Sequence, residues 1–184
     1  WAGTSASASD EWIELYNKTD HAIKLDGFVL TTLDGTPNIS LSGQIVANSY
    51  FLLERTDDNV ISDISADLIY GNGGSNFAIH NNGEEMLLKL GSFVVDRTPA
   101  IGASGCGNKW CGGSNTGRIS MERQSVSMLG NDNSNWSTAM EEVFINGRDR
   151  NGNVIKSTPK MANGSPHAVA LSGLLTSDKT LNIE

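Results

Sequence analysis

Two glutamates near the start of the chain are the first residues whose type and spacing could do chemistry. Glu11 and Glu14 lie in the run Glu-Trp-Ile-Glu-Leu-Tyr, and a glycosidase needs two carboxyl groups that face each other across a cleft. Residues three apart on a strand point to opposite faces, so these two cannot form such a pair with each other. We expect solvated or edge charges here, and the structural alternative is that Glu14 accepts a hydrogen bond from buried backbone.

The two cysteines stand close together, at Cys106 and Cys111 in Cys-Gly-Asn-Lys-Trp-Cys. A zinc site needs a second pair of ligands, but His21, His80 and His167 are far apart in sequence. A redox pair is the other functional alternative. The position of the cysteines within a Gly/Ser/Asn-rich stretch favours a disulfide that closes a loop in an oxidising compartment.

Lys109 and Trp110 lie inside this predicted disulfide loop. Burying a tryptophan in such a loop is hard to arrange, whereas contact with a partner is easier. Trp12, Trp110 and Trp136 could also form a platform on which a carbohydrate stacks, although buried aromatic side chains are the usual arrangement in small sandwiches. We therefore predict that Lys109 and Trp110 contact a partner.

Three stretches rich in Asp and Asn could supply the roughly six to eight oxygen ligands of a calcium ion. Their acidic candidates are Asp57, Asp58, Asp63, Asp132 and Asp149. The residue order of an EF-hand is not kept in these stretches, and Asp and Asn more often form turns through their own side chains. We predict no cofactor and no metal, and the five aspartates remain the calcium candidates.

Motifs and charge exclude several classes of function. The Gly-x-Ser-x-Gly element that activates a serine nucleophile does not occur in the sequence. Binding of phosphate groups requires clustered cations, but the 13 Lys and Arg residues are scattered and the formal net charge is −8. The sequence also lacks an apolar run long enough to cross a membrane. We expect no enzyme activity, no nucleic-acid partner and no membrane insertion.

The elements that must position these residues are short strands. The sequence contains 20 Gly and many Asn and Ser, and no long pattern with the helical period occurs in it. Ile13 and Leu15 alternate with Trp12, Glu14 and Tyr16, which is the period-two pattern of a strand. Apolar runs that recur at short intervals between turn signals predict an all-β sandwich or barrel.

Turn signals divide the rest of the chain. Asp34-Gly35 predicts a hairpin, and a short, fully buried strand is predicted at 51–53. Asn82-Gly83 lies within a predicted meander of three antiparallel strands at 77–79, 86–90 and 93–96. The remaining predictions are a loop at 98–117, an extended run at 118–123, irregular chain at 126–142 and an inserted hairpin at 143–157.

Several of these segments, taken in order, resemble the lamin tail domain. Asp-Glu-Trp-Ile-Glu-Leu-Tyr-Asn at 10–17, followed by Ile-Lys-Leu-Asp-Gly-Phe at 23–28, is similar to the opening of bacterial members of that family. Later matches are Ile-Val-Ala at 45–47, Tyr-Phe-Leu-Leu at 50–53, the segment 82–90, Ser-Met-Glu-Arg at 120–123, Asn-Trp at 135–136 and the segment 158–164. The strength of the resemblance lies in the ordered series, because each short motif is weak alone.

The resemblance implies an immunoglobulin-like β-sandwich with inserted loops and a hairpin, spanning residues 1–165. It implies no catalytic residues, since the family is known as a binding and scaffolding module in nuclear lamins and in secreted bacterial proteins. Family members usually have one more strand just ahead of the position of Trp1. Either the given chain is trimmed, or a sheet edge is left open for another segment to fill.

Residues 166–184 are interpreted as a linker that enters a further β domain, or alternatively as a strand donated to a neighbour. The function we expect is that of a non-catalytic extracellular module, secreted or at the cell surface, which serves adhesion, anchoring or assembly within a larger protein. The expected partner is a protein or a surface glycan, and self-assembly by strand addition is included. The alternative is an accessory domain that directs a secreted hydrolase to its substrate.

Overall fold

The computed structural model describes the chain at residues 3–71, 75–102, 106–139 and 145–164. Regular structure in this part of the chain consists of β-strands and two short 3-10 helices, at Ser75–Phe77 and Asn133–Asn135. The predicted all-β, sandwich-like class is therefore confirmed. The strands are short because Asp, Asn and Gly interrupt the apolar runs every few residues.

Eleven strands form within the described residues. They are β1 (Trp12–Asn17), β2 (Ile23–Lys24), β3 (Phe28–Thr32), β4 (Asn38–Ser40), β5 (Gln44–Ile45), β6 (Ser49–Arg55), β7 (Leu68–Tyr70), β8 (Met86–Leu90), β9 (Phe93–Arg97), β10 (Met121–Arg123) and β11 (Trp136–Thr138).

These strands form two main sheets and two short ribbons. The three-stranded sheet has the order β1-β6-β7, and the four-stranded sheet has the order β4-β3-β8-β9. One ribbon pairs β2 with β5, and the other pairs β10 with β11. All of these pairs are antiparallel except that of β6 with β7. The hairpin predicted at Asp34-Gly35 is confirmed, because β3 and β4 pair on either side of it.

Alternation along β1 and β6 separates two apolar clusters on the two faces of the three-stranded sheet. Ile13 and Leu15 pack against the main core, which contains Leu53 and extends to the four-stranded sheet. Trp12 and Leu52 belong to a second cluster, together with Val60, Ile61 and Ile155. The alternation predicted for the first strand is thus confirmed, since successive side chains of a strand point to opposite faces.

The prediction of a strand at 77–79, the first of the meander, is wrong. Residues Ser75–Phe77 form a 3-10 helix instead. The backbone N–H of Ile79 donates to the Glu11 carboxylate at 2.8 Å, and that of His80 donates to Glu84 at 3.0 Å. Side-chain carboxylates therefore satisfy the amides that a strand would have paired with a neighbour. The hairpin of β8 and β9 is confirmed.

The prediction of irregular chain at 126–142 is wrong for its middle part. Asp132 caps the second 3-10 helix by accepting the Ser134 N–H, and this helix leads directly into β11. In the inserted hairpin, the described part confirms the prediction, because Arg148 and Val154 form an antiparallel bridge. Residues 143–144 and the interpreted linker or donated strand at 166–184 lie outside the described residues.

Candidate functional site

A groove of about 900 Å³ separates β1 from the segment 120–130, which contains β10. Every residue from 12 to 19 lines one wall, and every residue from 120 to 130 lines the other. If one face of a strand bordered the groove, only every second residue would line it. Because consecutive residues line both walls, the edges of the two segments border the groove. Its floor is apolar and comes from the inner face of the four-stranded sheet, at Phe28, Leu30, Met86 and Leu88.

The β1 wall is the edge of a sheet, because β1 pairs with β6 alone. The Glu11 carbonyl accepts the Arg55 N–H at 2.9 Å, so the alternate residues Ile13 and Leu15 also direct their backbone groups to β6. The N–H and C=O groups of Glu14 and Tyr16 consequently point toward the groove. They make no hydrogen bond to other backbone within the described ranges.

The opposite wall presents a second row of backbone groups. Ser120 accepts the Ala139 N–H at 3.0 Å, and the Gln124 N–H donates to Asn135 at 2.8 Å, so alternate residues of this wall face β11. By the same alternation, Met121 and Arg123 direct their backbone groups away from β11 and toward the groove. The groove therefore lies between two strand edges.

The two walls run in the same direction. At one end, Trp12 and Ser120 together line a small cavity of about 20 Å³, along with Gly3, Thr4 and Ser5. At the other end, the Lys18 ammonium donates to the Val126 carbonyl at 3.2 Å. A long lysine side chain is needed to connect the walls there, which agrees with a separation wider than the spacing of paired strands.

Residues 158–164 pass over the groove on the side away from its floor, and we call them the roof. The Lys160 N–H donates to Glu14 Oε1 of β1 at 2.6 Å. The Thr158 hydroxyl donates to Glu122 Oε1 of β10 at 2.9 Å, and the Asn163 amide donates to the carbonyl of the following residue, Arg123, at 2.9 Å. The roof thus forms hydrogen bonds to both walls of the groove.

Both carboxyl groups under the roof hold protons more readily than usual. Burial raises the pKa of Glu14 to about 8, against the opposing effect of the Lys160 N–H. Burial also raises the pKa of Glu122, which the hydrogen bond from Thr158 opposes. The roof side of the groove therefore carries polar carboxyl groups, while the floor is apolar.

The expectation of solvated or edge charges is wrong for Glu11. This side chain is only 4% exposed. Its carboxylate forms an ion pair with Arg55 at 3.0 Å and also accepts the Ile79 N–H. Burial raises the pKa of Glu11, and the Ile79 and Arg55 contacts act in the opposite direction. The structural alternative for Glu14, a hydrogen bond from backbone, is confirmed by the contact with Lys160.

The loop at 98–117 contains the predicted disulfide, because the Sγ atoms of Cys106 and Cys111 are 2.00 Å apart. Trp110 is half-buried, its indole N–H donates to the His80 carbonyl at 2.8 Å, and its ring packs against the main core and lines the groove. The structure therefore provides a packing site for this ring that we did not expect. Lys109 is exposed. The partner contact through Lys109 and Trp110 stays a prediction.

The three tryptophans do not form one stacking platform. Trp12 is 8% exposed and lies in the second cluster, on the face of the three-stranded sheet opposite the main core that Trp110 contacts. Trp136 donates its indole N–H to the Gly130 carbonyl at 2.7 Å. Each ring is thus held by its own surroundings, as expected for aromatic side chains in a small sandwich.

The calcium candidates accept backbone N–H groups. Asp63 accepts the Arg148 N–H at 2.7 Å, and Asp149 accepts the N–H groups of Asn151 and Asn153, both at 2.9 Å. Asp57, Asp58 and Asp132 likewise accept backbone N–H groups. No three acidic, His or Cys side chains converge into a metal-binding group within the described ranges. The turn interpretation is confirmed for Asp57, Asp132 and Asp149. Asp63 instead bonds a segment 85 positions away, and a calcium ion stays a prediction.

The predicted extended run at 118–123 contains β10 and is confirmed there. The sequence does not show that this run forms a second wall, because a strand of three residues is too short to show a period, and it does not indicate the roof. Lys160 gives no signal at all, because its role is to present a backbone N–H to Glu14 from a distant part of the chain. Pairing between distant segments decides both features.

No family model, no curated protein and no solved structure matches this chain. In the part of the chain that is described, no helix has the length and apolar character needed to cross a membrane. The function must therefore be argued from the groove, which lies between two exposed backbone edges.

Proposed function

We propose that this domain is a non-catalytic binding and structural module of a larger extracellular protein, and that it binds an extended segment of polypeptide as an additional β-strand. One observation carries the proposal. The groove has strand edges on two sides, an apolar floor and a polar roof. Adhesion, anchoring or assembly through strand addition is the function that uses all four surfaces.

Strand addition matches the groove in both hydrogen bonding and length. A peptide strand gains affinity from main-chain hydrogen bonds, and pockets for alternate side chains provide specificity. Glu14 and Tyr16 supply such backbone groups on one wall. On the other wall they come from Met121 and from the Arg123 N–H, since the Arg123 carbonyl already accepts the Asn163 amide. The six residues of β1 correspond to a length of about 20 Å at about 3.3 Å per residue. A bound strand of about six residues fills this length.

Two further observations support the module over an enzyme. The buried carboxyl groups are occupied by structural partners, Glu11 by Arg55 and Glu14 by the Lys160 N–H. The resemblance to the lamin tail domain implies a binding and scaffolding role. The disulfide between Cys106 and Cys111 is compatible with an oxidising, extracellular location, where we place the protein.

The proposal is tested by amide hydrogen exchange with peptides whose apolar residues alternate with small or polar ones. At a protein concentration low enough for the groove to be empty, the Glu14 and Tyr16 amides should exchange quickly, whereas those of Ile13 and Leu15 are protected by β6. A bound strand should slow exchange at Glu14 and Tyr16 by at least tenfold. A peptide of the same composition without alternation is the ligand control. Unchanged exchange with every alternating peptide contradicts strand addition.

A pair of variants at one position separates backbone from side-chain binding. Tyr16→Pro removes an N–H that faces the groove and that β6 does not use, so the ladder with β6 should remain intact. Tyr16→Ala removes the ring but keeps the N–H. We expect Tyr16→Pro to weaken peptide binding at least tenfold more than Tyr16→Ala does. Equal affinities would contradict a main-chain contact, and binding to a glycan array that disappears in Trp110→Ala would favour the hydrolase-targeting alternative.

A further inference from the structure

We infer that the strand bound in the groove is donated by the C-terminal segment of a second copy of this chain, with residues 168–172 between the two walls. This inference rests on the proposed strand addition, because it identifies the segment that fills the same groove. Its starting points are the place where the described chain ends, the length of the chain that follows, and the side-chain pattern that the groove accepts.

The described chain ends at the groove. Gly164 is buried, and its backbone N–H donates to the carboxylate of Glu122 on the second wall. Asn163, just before it, lines the groove and bonds to the carbonyl of Arg123. Twenty residues follow, 165–184, and in extended form they reach about 65 Å at about 3.3 Å per residue. This length is roughly three times that of β1, so the segment can leave its own domain and enter a neighbour.

The groove selects a particular alternation of side chains. Side chains that point to the floor meet Phe28, Leu30 and Leu88, so large apolar groups are favoured there. Side chains that point to the roof meet carboxyl groups that already accept hydrogen bonds from Lys160 and Thr158, so small side chains without charge are favoured there. A matching strand therefore alternates large apolar residues with small ones.

Residues 168–172 have this pattern. The sequence Ala-Val-Ala-Leu-Ser places Val169 and Leu171 on one face and only small side chains on the other. Residues 180–184, Thr-Leu-Asn-Ile-Glu, also alternate, but Asn182 and Glu184 would meet the roof with larger side chains. The first segment also carries no charge, so it brings no unpaired ion into the buried space.

A second copy is a better donor than the same copy. Only Ser165, Pro166 and His167 separate the roof from Ala168, and the chain would have to reverse within them to enter its own groove. A residue before proline favours the extended conformation, and proline fixes its own φ. These two preferences favour an extended connection over a reversal within three residues, and on this ground we take the donor to be a second copy.

Exchange between two copies fills both grooves at once. If each copy donates its segment to the other, the interface is closed by a twofold axis and the product is a dimer. We expect the donated strand to run antiparallel to β1 and β10, because six of the seven strand pairs in this fold are antiparallel. Both walls run in one direction, so one strand can be antiparallel to both.

The experiment compares full-length chains by light scattering over a series of concentrations. The unchanged chain should form a dimer of about twice 19.6 kDa. The double variant Val169→Asp, Leu171→Asp places charges against the apolar floor, so it should be monomeric at concentrations where the parent is a dimer, with at least a hundredfold weaker association. The matched control is Leu181→Asp, Ile183→Asp, which carries the same two charges in the same tail and should remain dimeric.

A peptide of residues 166–174 provides the second measurement. Added to the monomeric double variant, it should slow amide exchange at Glu14 and Tyr16. Loss of the dimer in both double variants would overturn the assignment of residues 168–172. A parent chain that is monomeric at millimolar concentration, with these two amides already protected, would overturn donation by a second copy in favour of the chain's own tail.

The remaining outcomes separate this inference from the proposed function. If the parent is monomeric and the 166–174 peptide has no effect, while an unrelated alternating peptide protects Glu14 and Tyr16, the tail is not the donor and strand addition stands. If no alternating peptide protects these amides, both proposals are overturned.

Discussion

Replacing Glu14 by glutamine should remove a large part of the pH dependence of stability. Burial raises the pKa of Glu14 from 4.5 to about 8. Between these two values the folded protein holds a proton on Glu14 that the unfolded chain has released. The stability contributed by the protonated form is therefore fully present below about pH 4.5 and is lost as the pH rises toward about 8. Glutamine keeps an oxygen that can accept the Lys160 N–H and has no proton to lose.

The magnitude follows from the difference in bound protons. One proton more in the folded state lowers the free energy of unfolding by about 1.4 kcal/mol for each pH unit. Between pH 5 and pH 7 the loss for this single group is therefore roughly 3 kcal/mol. Burial raises the pKa of Glu54 as well, to about 7, so the parent protein should lose roughly a further 2 kcal/mol over the same interval.

Urea unfolding at pH 5, 6, 7 and 8, followed by tryptophan fluorescence, measures the effect. Glu14→Gln should show a slope about 1 kcal/mol per pH unit less steep than the parent, and it should be the more stable of the two at pH 8. Asp26→Asn is the control, because it removes one exposed carboxylate. Equal slopes for the parent and Glu14→Gln would refute the assignment of a buried, protonated Glu14.

Three other predictions concern stability. Leu53→Ala, at a side chain with 0% exposure in the main core, should lower the free energy of unfolding by about 2–5 kcal/mol in a denaturant titration. Replacing both Cys106 and Cys111 by serine should cost roughly 2 kcal/mol, because the disulfide spans only 5 positions. A reducing agent should lower the melting temperature of the parent and leave that of the serine variant unchanged. Gly130→Ala would place a Cβ 2.4 Å from the Arg97 carbonyl oxygen, so it should destabilise by about 1–3 kcal/mol in calorimetry.

The sequence was sufficient to predict the elements whose signals are local. Alternation around Ile13 and Leu15 identified β1, and Asp34-Gly35 identified the hairpin of β3 and β4. The apolar run at 86–90 was correctly interpreted as a strand. In each of these, the period of the side chains and the turn residues agree with the tertiary environment.

Failures occurred where distant side chains replace backbone partners. Phe77, Ala78 and Ile79 have the composition of a strand, but the Glu11 carboxylate takes the Ile79 N–H from 68 positions away. The Glu11 carboxylate also forms an ion pair with Arg55, which explains why Glu11 is buried and not solvated. Arg55 lies at the end of β6, 44 positions from Glu11. The residues next to Glu11 in the sequence therefore do not indicate that it pairs with Arg55.

The groove was only partly predictable for the same reason. An open sheet edge was expected, but its opposite wall depends on the placement of β10 by β11 and by the roof, through contacts such as Thr158 with Glu122. The cysteine loop was expected to present Trp110 to a partner. Its ring packs against the main core and lines the groove, and the partner contact stays a prediction.

Stability and binding are coupled in this arrangement, because the groups that a strand would contact are also part of the core. Leu30 and Met86 are buried members of the main core and at the same time line the groove. A strand that binds only the folded domain must therefore stabilise it, by about 2.7 kcal/mol when the free donor is present at about a hundred times its dissociation constant. For donation between copies, that stabilisation depends on protein concentration. A domain that gains stability as it assembles will be most resistant to unfolding where it is most concentrated, which suits a structural role in an assembly.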